Sequence, residues 1–196
     1  MTTNTPKKLI LASSSPRRKE LLGTLGLSFT VQSSDVDETT EAGLAPQEIV
    51  EELALRKASA ISSQLDDGLV LGSDTIVVLD GQVLGKPADE ADAFRMLSAL
   101  QGREHTVYSG VALIDAQTGR REVTHSRTQV RIRPLSDTEI KAYIATGEPM
   151  DKAGSYAIQG IGATLVESIT GDYFTVVGLP LCLTASMLAR FGVNVL

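Results

Sequence analysis

Cysteine, histidine and tryptophan are scarce in this sequence of 196 residues, which contains one, two and none of them respectively. A lone cysteine cannot form an internal disulfide or a CxxC metal cluster, and such sparse use is typical of a reducing compartment. The two histidines, His105 and His125, lack the HExxH spacing of a zinc protease. The GxSxG and Walker motifs are missing as well. The sequence therefore lacks the usual patterns of a serine nucleophile and of a P-loop.

Basic charge and long apolar runs are also limited. The 18 Lys and Arg residues against 24 Asp and Glu residues give a formal net charge of −6, with the excess of acid in the first half of the chain. Because a non-specific DNA surface needs many cations, this balance argues against a nucleic-acid partner. The longest uncharged run, residues 173–189, is shorter than the roughly 20 residues of a membrane-spanning helix. The apolar stretch 9–12 is too short for a signal peptide. We therefore expect neither a membrane segment nor secretion.

The residues that are present indicate a globular α/β protein. With 42% hydrophobic and 21% charged residues, the chain lacks the signature of disorder, and its length fits one domain over residues 1–196. Strand and helix patterns alternate at first and are followed by long alternating strands. This order favours a mixed twisted sheet flanked by helices, in two lobes with a cleft between them. The predicted strands are 8–13, 29–36, 69–79, 106–116, 122–133, 153–169 and 173–177, and the predicted helices are 16–26, 46–65, 88–100, 136–147 and 181–191.

A run of serines from Ser13 to Ser15 lies at the first strand-to-helix turn, directly before Pro16. A helix N-terminus presents free N–H groups and the positive end of the helix dipole, and the serine hydroxyls and the guanidinium groups of Arg17 and Arg18 add to it. The segment therefore predicts an anion site. The same residues also suit a helix capped by a serine, with arginines that face solvent.

Carboxylates occur in two places where they could carry chemistry. Asp74 falls inside the apolar strand 69–79, where an unpaired carboxylate is costly, so we favour a functional acid over a structural hydrogen-bond hub. Asp35, Asp37 and Glu38 follow the second strand and have the oxygen ligands that a hard cation such as Mg²⁺ prefers. Taken alone, these three residues are more typical of a solvated acidic loop.

Isolated cations and small residues complete the candidates. Lys57, Lys86 and Lys152 are each, alone, typical of surface lysines. Gln159 is followed by glycines in a predicted strand, where they permit close approach of a ligand to the backbone. Cys182, in an apolar helix, is expected to be a buried thiol. Carboxylates, a divalent cation and scattered Lys and Arg suit chemistry on phosphate esters and anhydrides.

Six short motifs run in order along nearly the whole chain, at residues 9–18, 72–75, 85–87, 149–154, 158–160 and 177–180. Together they resemble the Maf family of nucleoside triphosphate pyrophosphatases. The resemblance implies a cytoplasmic enzyme with a fold similar to that of inosine triphosphate pyrophosphatases. Such an enzyme hydrolyses nucleotides between the α and β phosphates with a divalent metal. Ser73, Ser155 and Ala157 depart from the family's common residues but are small.

The resemblance also implies roles for individual residues. The catalytic set is Asp74, as the proton acceptor that activates water, with Lys57 and Lys86. The base-selecting residues are Arg17, Thr75 and Gln159. The phosphate-binding residues are Ser13, Arg17, Arg18 and Lys152, and the ligands of Mg²⁺ or Mn²⁺ are Glu38 and Asp74. Two competing roles thus fall on Asp74, since a metal-bound carboxylate is a weak base.

The three base-selecting residues resemble those of the branch that acts on dTTP and UTP. A neutral Gln amide can pair with the O4 and N3–H edge of uracil or thymine, whereas the Glu and aromatic residue of the 7-methyl-GTP branch suit a cationic purine. The alternatives are a pyrophosphatase for 7-methyl-GTP or other modified nucleotides, and a nucleotide-binding regulator of septum formation. The implied partners are a nucleoside triphosphate and a second copy of the chain, since relatives are often dimers.

Overall fold

A single mixed sheet organises the fold. The computed structural model describes residues 7–33 and 35–196. Within them, seven strands are ordered β2-β1-β3-β5-β6-β7, with β4 paired to β3. Strand β1 is parallel to β2 and β3, whereas the β3–β4 and β6–β7 pairs are antiparallel. The strands are β1 (Leu9–Ala12), β2 (Phe29–Gln32), β3 (Leu69–Leu79), β4 (Gln82–Leu84), β5 (Glu104–Asp115), β6 (Arg121–Ile132) and β7 (Val166–Thr170).

Helices connect most of these strands, which confirms the predicted mixed α/β class. The α-helices are α1 (Pro16–Thr24), α2 (Pro46–Ser62), α3 (Glu90–Leu100), α4 (Asp137–Ile144), α5 (Tyr173–Val177) and α6 (Leu181–Arg190). Three short 3₁₀ segments lie at Glu148–Asp151, Ala153–Ser155 and Gly160–Thr164. Helix α4 begins with a capping box at Ser136, whose hydroxyl accepts the N–H of Glu139 while the Glu139 carboxylate accepts the N–H of Ser136.

The described chain divides into two compact units. Unit 1 comprises the described residues up to 74 together with 109–126 and 178–196, and unit 2 comprises 75–108 and 127–177. In unit 1, small side chains such as Ala54 and Ala58 of α2 pack against Ile10 of β1 and Val70 of β3. In unit 2, α3 and α4 bury larger residues, among them Leu97 and Ile140. The cleft and the single domain over 1–196 stay predictions.

A hairpin follows β3. Asp80 and Gly81 have φ values of 50° and 77°, which suit a two-residue turn between antiparallel strands. Strand β2 is shorter than predicted, since it ends at Gln32; within the predicted remainder, Ser34 lies outside the described residues.

The prediction of strands over 153–169 and 173–177 is wrong for most of their length. Gly154, Ser155 and Gly160 have φ values of 70°, 59° and 64°, which no extended strand accommodates, and only Val166 onwards is strand. Residues 173–177 form helix α5 despite their β-branched and aromatic side chains. The reason is local, because Asp172 Oδ2 accepts both the N–H and the hydroxyl of Thr175 at 2.8 Å.

The prediction of a buried thiol at Cys182 is also wrong, since this side chain is exposed. Helix α6 buries its opposite face instead, through Leu181, Thr184, Met187 and Leu188. Among the described residues, none of the helices is both long and apolar enough to cross a membrane.

Candidate active site

Two glycines in neighbouring strands of unit 1 allow helix α2 to lie against the sheet. A Cβ built on Gly72 of β3 would overlap the carbonyl oxygen of Ala54 and lie 2.8 Å from the nitrogen of Ala58. A Cβ on Gly110 of β5 would lie 3.0 Å from the nitrogen of Glu51. Only glycine permits such contact between a strand and a helix backbone. The motif at 72–75, which contains Asp74, therefore begins with a packing residue.

This close packing places Lys57, the neighbour of Ala58, beside Asp74. The Lys57 Nζ donates to Asp74 Oδ1 at 2.6 Å and lies 2.7 Å from Glu38 Oε1. The side chains of Lys57 and Asp74 are each 10% exposed, whereas that of Glu38 is 60% exposed. The predicted buried carboxylate is thus compensated by a buried ammonium, and Glu38 lies on the solvent side of the same cation.

Arg56, which the sequence reasoning missed, holds the loop that carries Glu38. Its guanidinium donates to the main-chain oxygens of Asp37 and Thr39, on either side of Glu38. The Asp37 carboxylate accepts the N–H of Thr39 at 2.8 Å, and hydrogen bonds from Thr39 hold the pKa of Asp37 below its ordinary value. Of the predicted acidic cluster, Asp35 is exposed and Asp37 supports its own loop, so only Glu38 lies beside Lys57.

The predicted anion segment also lies in unit 1. Ser13 is buried and its hydroxyl accepts the N–H of Ser15 at 3.1 Å. Ser15 is the N-cap residue of α1, but its side chain makes no capping hydrogen bond, so the prediction of a serine side-chain cap is not borne out at this residue. Arg17 and Arg18, in the first turn of α1, are half-buried rather than fully in solvent.

Gly178 is a second residue that the sequence reasoning did not assign to the site. Its carbonyl oxygen accepts Arg18 Nε at 2.9 Å and Ser73 Oγ at 3.1 Å. Burial lowers the pKa of Arg18 from its ordinary value, as does Arg17, while Asp74 and Glu38 raise it. Arg18 therefore lies within electrostatic range of both carboxylates. Gly178 lies in the motif at residues 177–180, and its φ of 124° is a conformation that favours glycine.

Unit 2 contains the remaining predicted site residues. The N–H of Gly154 donates to the carbonyl of Gly85 at 3.0 Å, so the segments that carry Lys86 and Lys152 are adjacent. Lys86 is exposed. Lys152 Nζ donates at 2.6 Å both to the main-chain oxygen of Glu148 and to Asp151 Oδ1. Thr75 is half-buried in β3.

Gln159 directly precedes a 3₁₀ segment of unit 2 and is half-buried, not part of a strand. The glycines that follow it do allow a close approach, but the approaching group belongs to the protein. A Cβ on Gly160 would lie 2.5 Å from Glu148 Oε2, and one on Gly162 would lie 2.6 Å from the Tyr143 hydroxyl. The structure thus shows close packing of these two glycines against Glu148 and Tyr143, and the approach of a ligand to them stays a prediction.

The carboxylates of Glu38 and Asp74 in unit 1 are suitable ligands for a metal cation that phosphate also binds. No group of three or more His, Cys, Asp or Glu side chains able to hold a metal occurs within residues 7–33 and 35–196. Glu38 and Asp74 nevertheless lie on one ammonium group, 2.7 and 2.6 Å from its nitrogen. Since Mg²⁺ is commonly bound by one or two carboxylates together with substrate phosphates, this pair is compatible with it.

Comparisons with known proteins found similar chains and a matching fold. A dTTP/UTP pyrophosphatase from Pelotomaculum thermopropionicum is 54% identical over 190 residues, which cover 97% of this chain and 100% of that protein. One from Moorella thermoacetica is 58% identical over 188 residues, covering 96% and 97%. The solved structure of the Staphylococcus aureus Ham1 protein matches with a TM-score of 0.52 and 18% identity, over 82% of this chain and 80% of that chain, and supports the fold alone. The family described as Maf-like protein matches residues 8–191, and this chain therefore belongs to that family.

Proposed function

We propose that this chain is a nucleoside triphosphate pyrophosphatase that hydrolyses dTTP and UTP to the nucleoside monophosphate and pyrophosphate. The proposed role is removal of unwanted nucleotides from the cellular pool. Relatives described as dTTP/UTP pyrophosphatases match nearly the whole chain. The structural observation that carries the proposal is the buried Asp74 carboxylate paired with Lys57 beside Glu38. A buried charged group of this kind is more typical of an active site than of a packing core.

Asp74 is the proposed general base. It removes a proton from the water whose oxygen attacks the α-phosphorus, while the bond from that phosphorus to the bridging oxygen breaks and pyrophosphate leaves. The hydrogen bond from Lys57 to Oδ1 fixes the orientation of the Asp74 carboxylate. Because the base is already oriented, less free energy is needed to align it with the attacking water in the transition state.

The cationic side chains are proposed to bind the triphosphate. Arg18, fixed by the Gly178 carbonyl, and Arg17 bind phosphate oxygens at the start of α1, where the helix N-terminus also favours anions. The remaining proposed phosphate and catalytic contacts are Ser13, Lys86 and Lys152. The arginines and lysines neutralise the charge that develops on the leaving pyrophosphate, and the Ser13 hydroxyl donates a hydrogen bond to a phosphate oxygen.

Gln159, Thr75 and Arg17 are proposed to select the base. The amide of Gln159 carries both a donor and an acceptor, which match O4 and N3–H of thymine or uracil. Adenine presents the donor and acceptor in the reverse order, N6–H and N1, and guanine presents O6 and N1–H on a larger ring system. Since a mismatched amide in a base pocket is costly and a pocket that fits one ring excludes two, we expect discrimination against purine triphosphates.

A divalent cation, Mg²⁺ or Mn²⁺, is the proposed cofactor, and Glu38 and Asp74 are the residues that would hold it. When bound, it would neutralise phosphate charge and polarise the phosphoryl oxygens. The two neighbouring carboxylates in unit 1 support this assignment.

The decisive experiment is a panel of nucleoside triphosphates with detection of released pyrophosphate. We expect turnover of dTTP and UTP above that of purine triphosphates and 7-methyl-GTP. Asp74→Asn should lower the release of pyrophosphate by at least about a hundredfold, because a general base is lost. The circular dichroism spectrum should be unchanged. Asp66→Asn is the matched control, because Asp66 is exposed in the loop after α2. A preference for 7-methyl-GTP, or binding without turnover, would contradict the proposal.

The proposed setting follows from the family resemblance and the charge. We place the protein in the cytoplasm, as a homodimer that does not bind nucleic acid; the net charge of −6 supports the last point. Light scattering of the purified protein, with and without dTTP, measures the assembly directly.

A further inference from the structure

The carboxylate of Glu148 binds the backbone just after Gln159. Its Oε2 accepts the N–H of Ile161 at 3.0 Å, and its Oε1 accepts the N–H of Gly162 at 2.8 Å. The hydroxyl of Tyr143 donates to the same Oε1 at 2.9 Å. Both carboxylate oxygens are thus engaged by this chain, and the turn that follows Gln159 is fixed by a side chain from another segment.

Tyr143 fixes the backbone just before Gln159. The N–H of Ala157, two residues upstream, donates to the Tyr143 hydroxyl at 3.1 Å. Tyr143 itself is buried in helix α4 and belongs to the core of unit 2. Gln159 therefore lies between two hydrogen-bonded points, Ala157 on one side and Ile161 and Gly162 on the other.

The glycines of this segment are required by the same contacts. Gly160 has a φ of 64°, and a Cβ there would lie 2.5 Å from Glu148 Oε2. Gly162 lies so close to the Glu148 carboxylate that a Cβ would be 3.0 Å from its Oε1. The two glycines after Gln159 thus leave the space that the Glu148 carboxylate occupies.

Glu148 also contacts Lys152, through its main chain. Its carbonyl oxygen accepts Lys152 Nζ at 2.6 Å. One residue therefore connects a proposed phosphate-binding lysine with the segment of the proposed base-selecting glutamine. Burial raises the pKa of Glu148, but hydrogen bonds from Gly162, Tyr143 and Ile161 outweigh it and leave the pKa below the ordinary value. The carboxylate is accordingly charged at neutral pH, and in this form both of its oxygens accept hydrogen bonds from main-chain N–H groups.

We propose that Glu148, supported by Tyr143, is a positioning residue that holds the Gln159 amide in the orientation for base selection. The inference rests on the proposed function, because it assigns the hydrogen-bonded support of Gln159 within that site. Nothing in it requires Glu148 to touch the nucleotide.

The test measures nucleotide preference in Glu148→Gln, which replaces one acceptor oxygen by a donor amide at constant size. We expect the preference for dTTP over ATP in kcat/KM to fall about tenfold, through KM, with kcat changed by about twofold at most. Tyr143→Phe should give a smaller loss, about threefold, because the carboxylate remains. Glu167→Gln is the matched control, since Glu167 is an exposed glutamate of unit 2 paired with Arg131.

A double-mutant cycle separates positioning from general stability. If Glu148 acts through Gln159, then Glu148→Gln added to Gln159→Ala should change the preference no further. An unchanged preference in the single variant, or an equal loss in both backgrounds, would overturn the inference. Should Glu148→Gln fail to fold, Tyr143→Phe is judged by the same two criteria.

A second measurement is independent of the substrate. Hydrogen exchange of the Ile161 and Gly162 amides, followed by NMR, should be slow in the wild type and fast in Glu148→Gln. Equal exchange in the two proteins would overturn the inference. A wild-type preference for some other triphosphate would refute the proposed substrate while leaving both criteria for Glu148 measurable with that nucleotide.

Discussion

His105 is a buried imidazole that links the stability of the protein to pH. Its Nε2 lies 2.7 Å from the hydroxyl of Tyr156, and its Nδ1 is buried without a hydrogen-bond partner among the described residues. Burial lowers the pKa of His105 to about 4. The unfolded chain, where a histidine has a pKa of about 6.5, binds the proton more tightly, so the free energy of unfolding falls as the pH drops from 6.5 towards 4.

We predict that this loss amounts to about 3 kcal/mol at its maximum, since one pKa unit corresponds to about 1.4 kcal/mol. His105→Gln should remove most of it. Urea unfolding of both proteins at neutral pH and at about pH 4.5 measures the difference, because the titration of the carboxylates is common to both. His125→Gln leaves His105 intact and should retain the wild-type loss. An equal acid loss in His105→Gln would show that His105 is not its source.

The residues that were predictable from the sequence are those whose side chains are proposed to carry the chemistry. Asp74 was conspicuous as an acid in an apolar strand, and the structure places Lys57 and Glu38 beside it. The contacts of Arg56 and Gly178 were not predictable, because Arg56 donates to main-chain oxygens of another segment and Gly178 supplies a main-chain oxygen to distant side chains. The order of residues in a sequence does not indicate which distant main-chain oxygens a side chain will contact.

At the scale of elements, helix α2 and strand β3 show how packing sets the position of a reactive group. We predict that Gly72→Ala lowers the free energy of unfolding by about 3 kcal/mol, as overpacking against a backbone does. It should also reduce pyrophosphate release, because displacement of α2 moves Lys57 away from Asp74.

Gly23→Ala is the matched control for this substitution. A Cβ there meets nothing within 4 Å, and Gly23 lies in helix α1. Alanine should therefore be neutral or stabilising by up to about 1 kcal/mol. Urea unfolding midpoints measure both effects. A Gly72→Ala variant as stable and as active as the wild type would show that α2 does not depend on this glycine.

Elements with a regular period were predictable, and irregular ones were not. The boundaries of β3 match the prediction at both ends, and β6 alternates as expected, with Thr128, Val130 and Ile132 buried. Residues 153–164 were predicted wrongly because left-handed backbone at three positions interrupts them. Helix α5 was predicted as a strand because its five residues have high strand propensity. The hydrogen bond from the N–H of Thr175 to the Asp172 carboxylate stabilises the helix instead.

At the scale of the whole molecule, a protein with a net negative charge is proposed to bind a negatively charged triphosphate. The proposed divalent metal would then have to offset the repulsion between the carboxylates and the phosphates. We predict that dTTP at about 100 times its Kd raises the Tm of the inactive Asp74→Asn variant by about 5 °C or more in the presence of Mg²⁺. EDTA should remove most of this shift.

Differential scanning calorimetry measures the shift, with ATP as the comparison ligand. A shift of the same size in EDTA would contradict the proposed cofactor, and an equal shift with ATP would contradict the proposed base selection. Because Asp74 is itself a proposed metal ligand, Mn²⁺ titrated into the wild type without nucleotide gives the reference for the metal alone.

The contact of Arg18 with Gly178 spans 160 residues, and that of Ser73 with Gly178 spans 105. During synthesis the first of these side chains leaves the ribosome long before its acceptor exists. A nascent or truncated chain that ends before residue 178 therefore lacks the oxygen that holds the arginine in place. The position of the proposed phosphate-binding arginine is therefore fixed only in a chain that extends through residue 178.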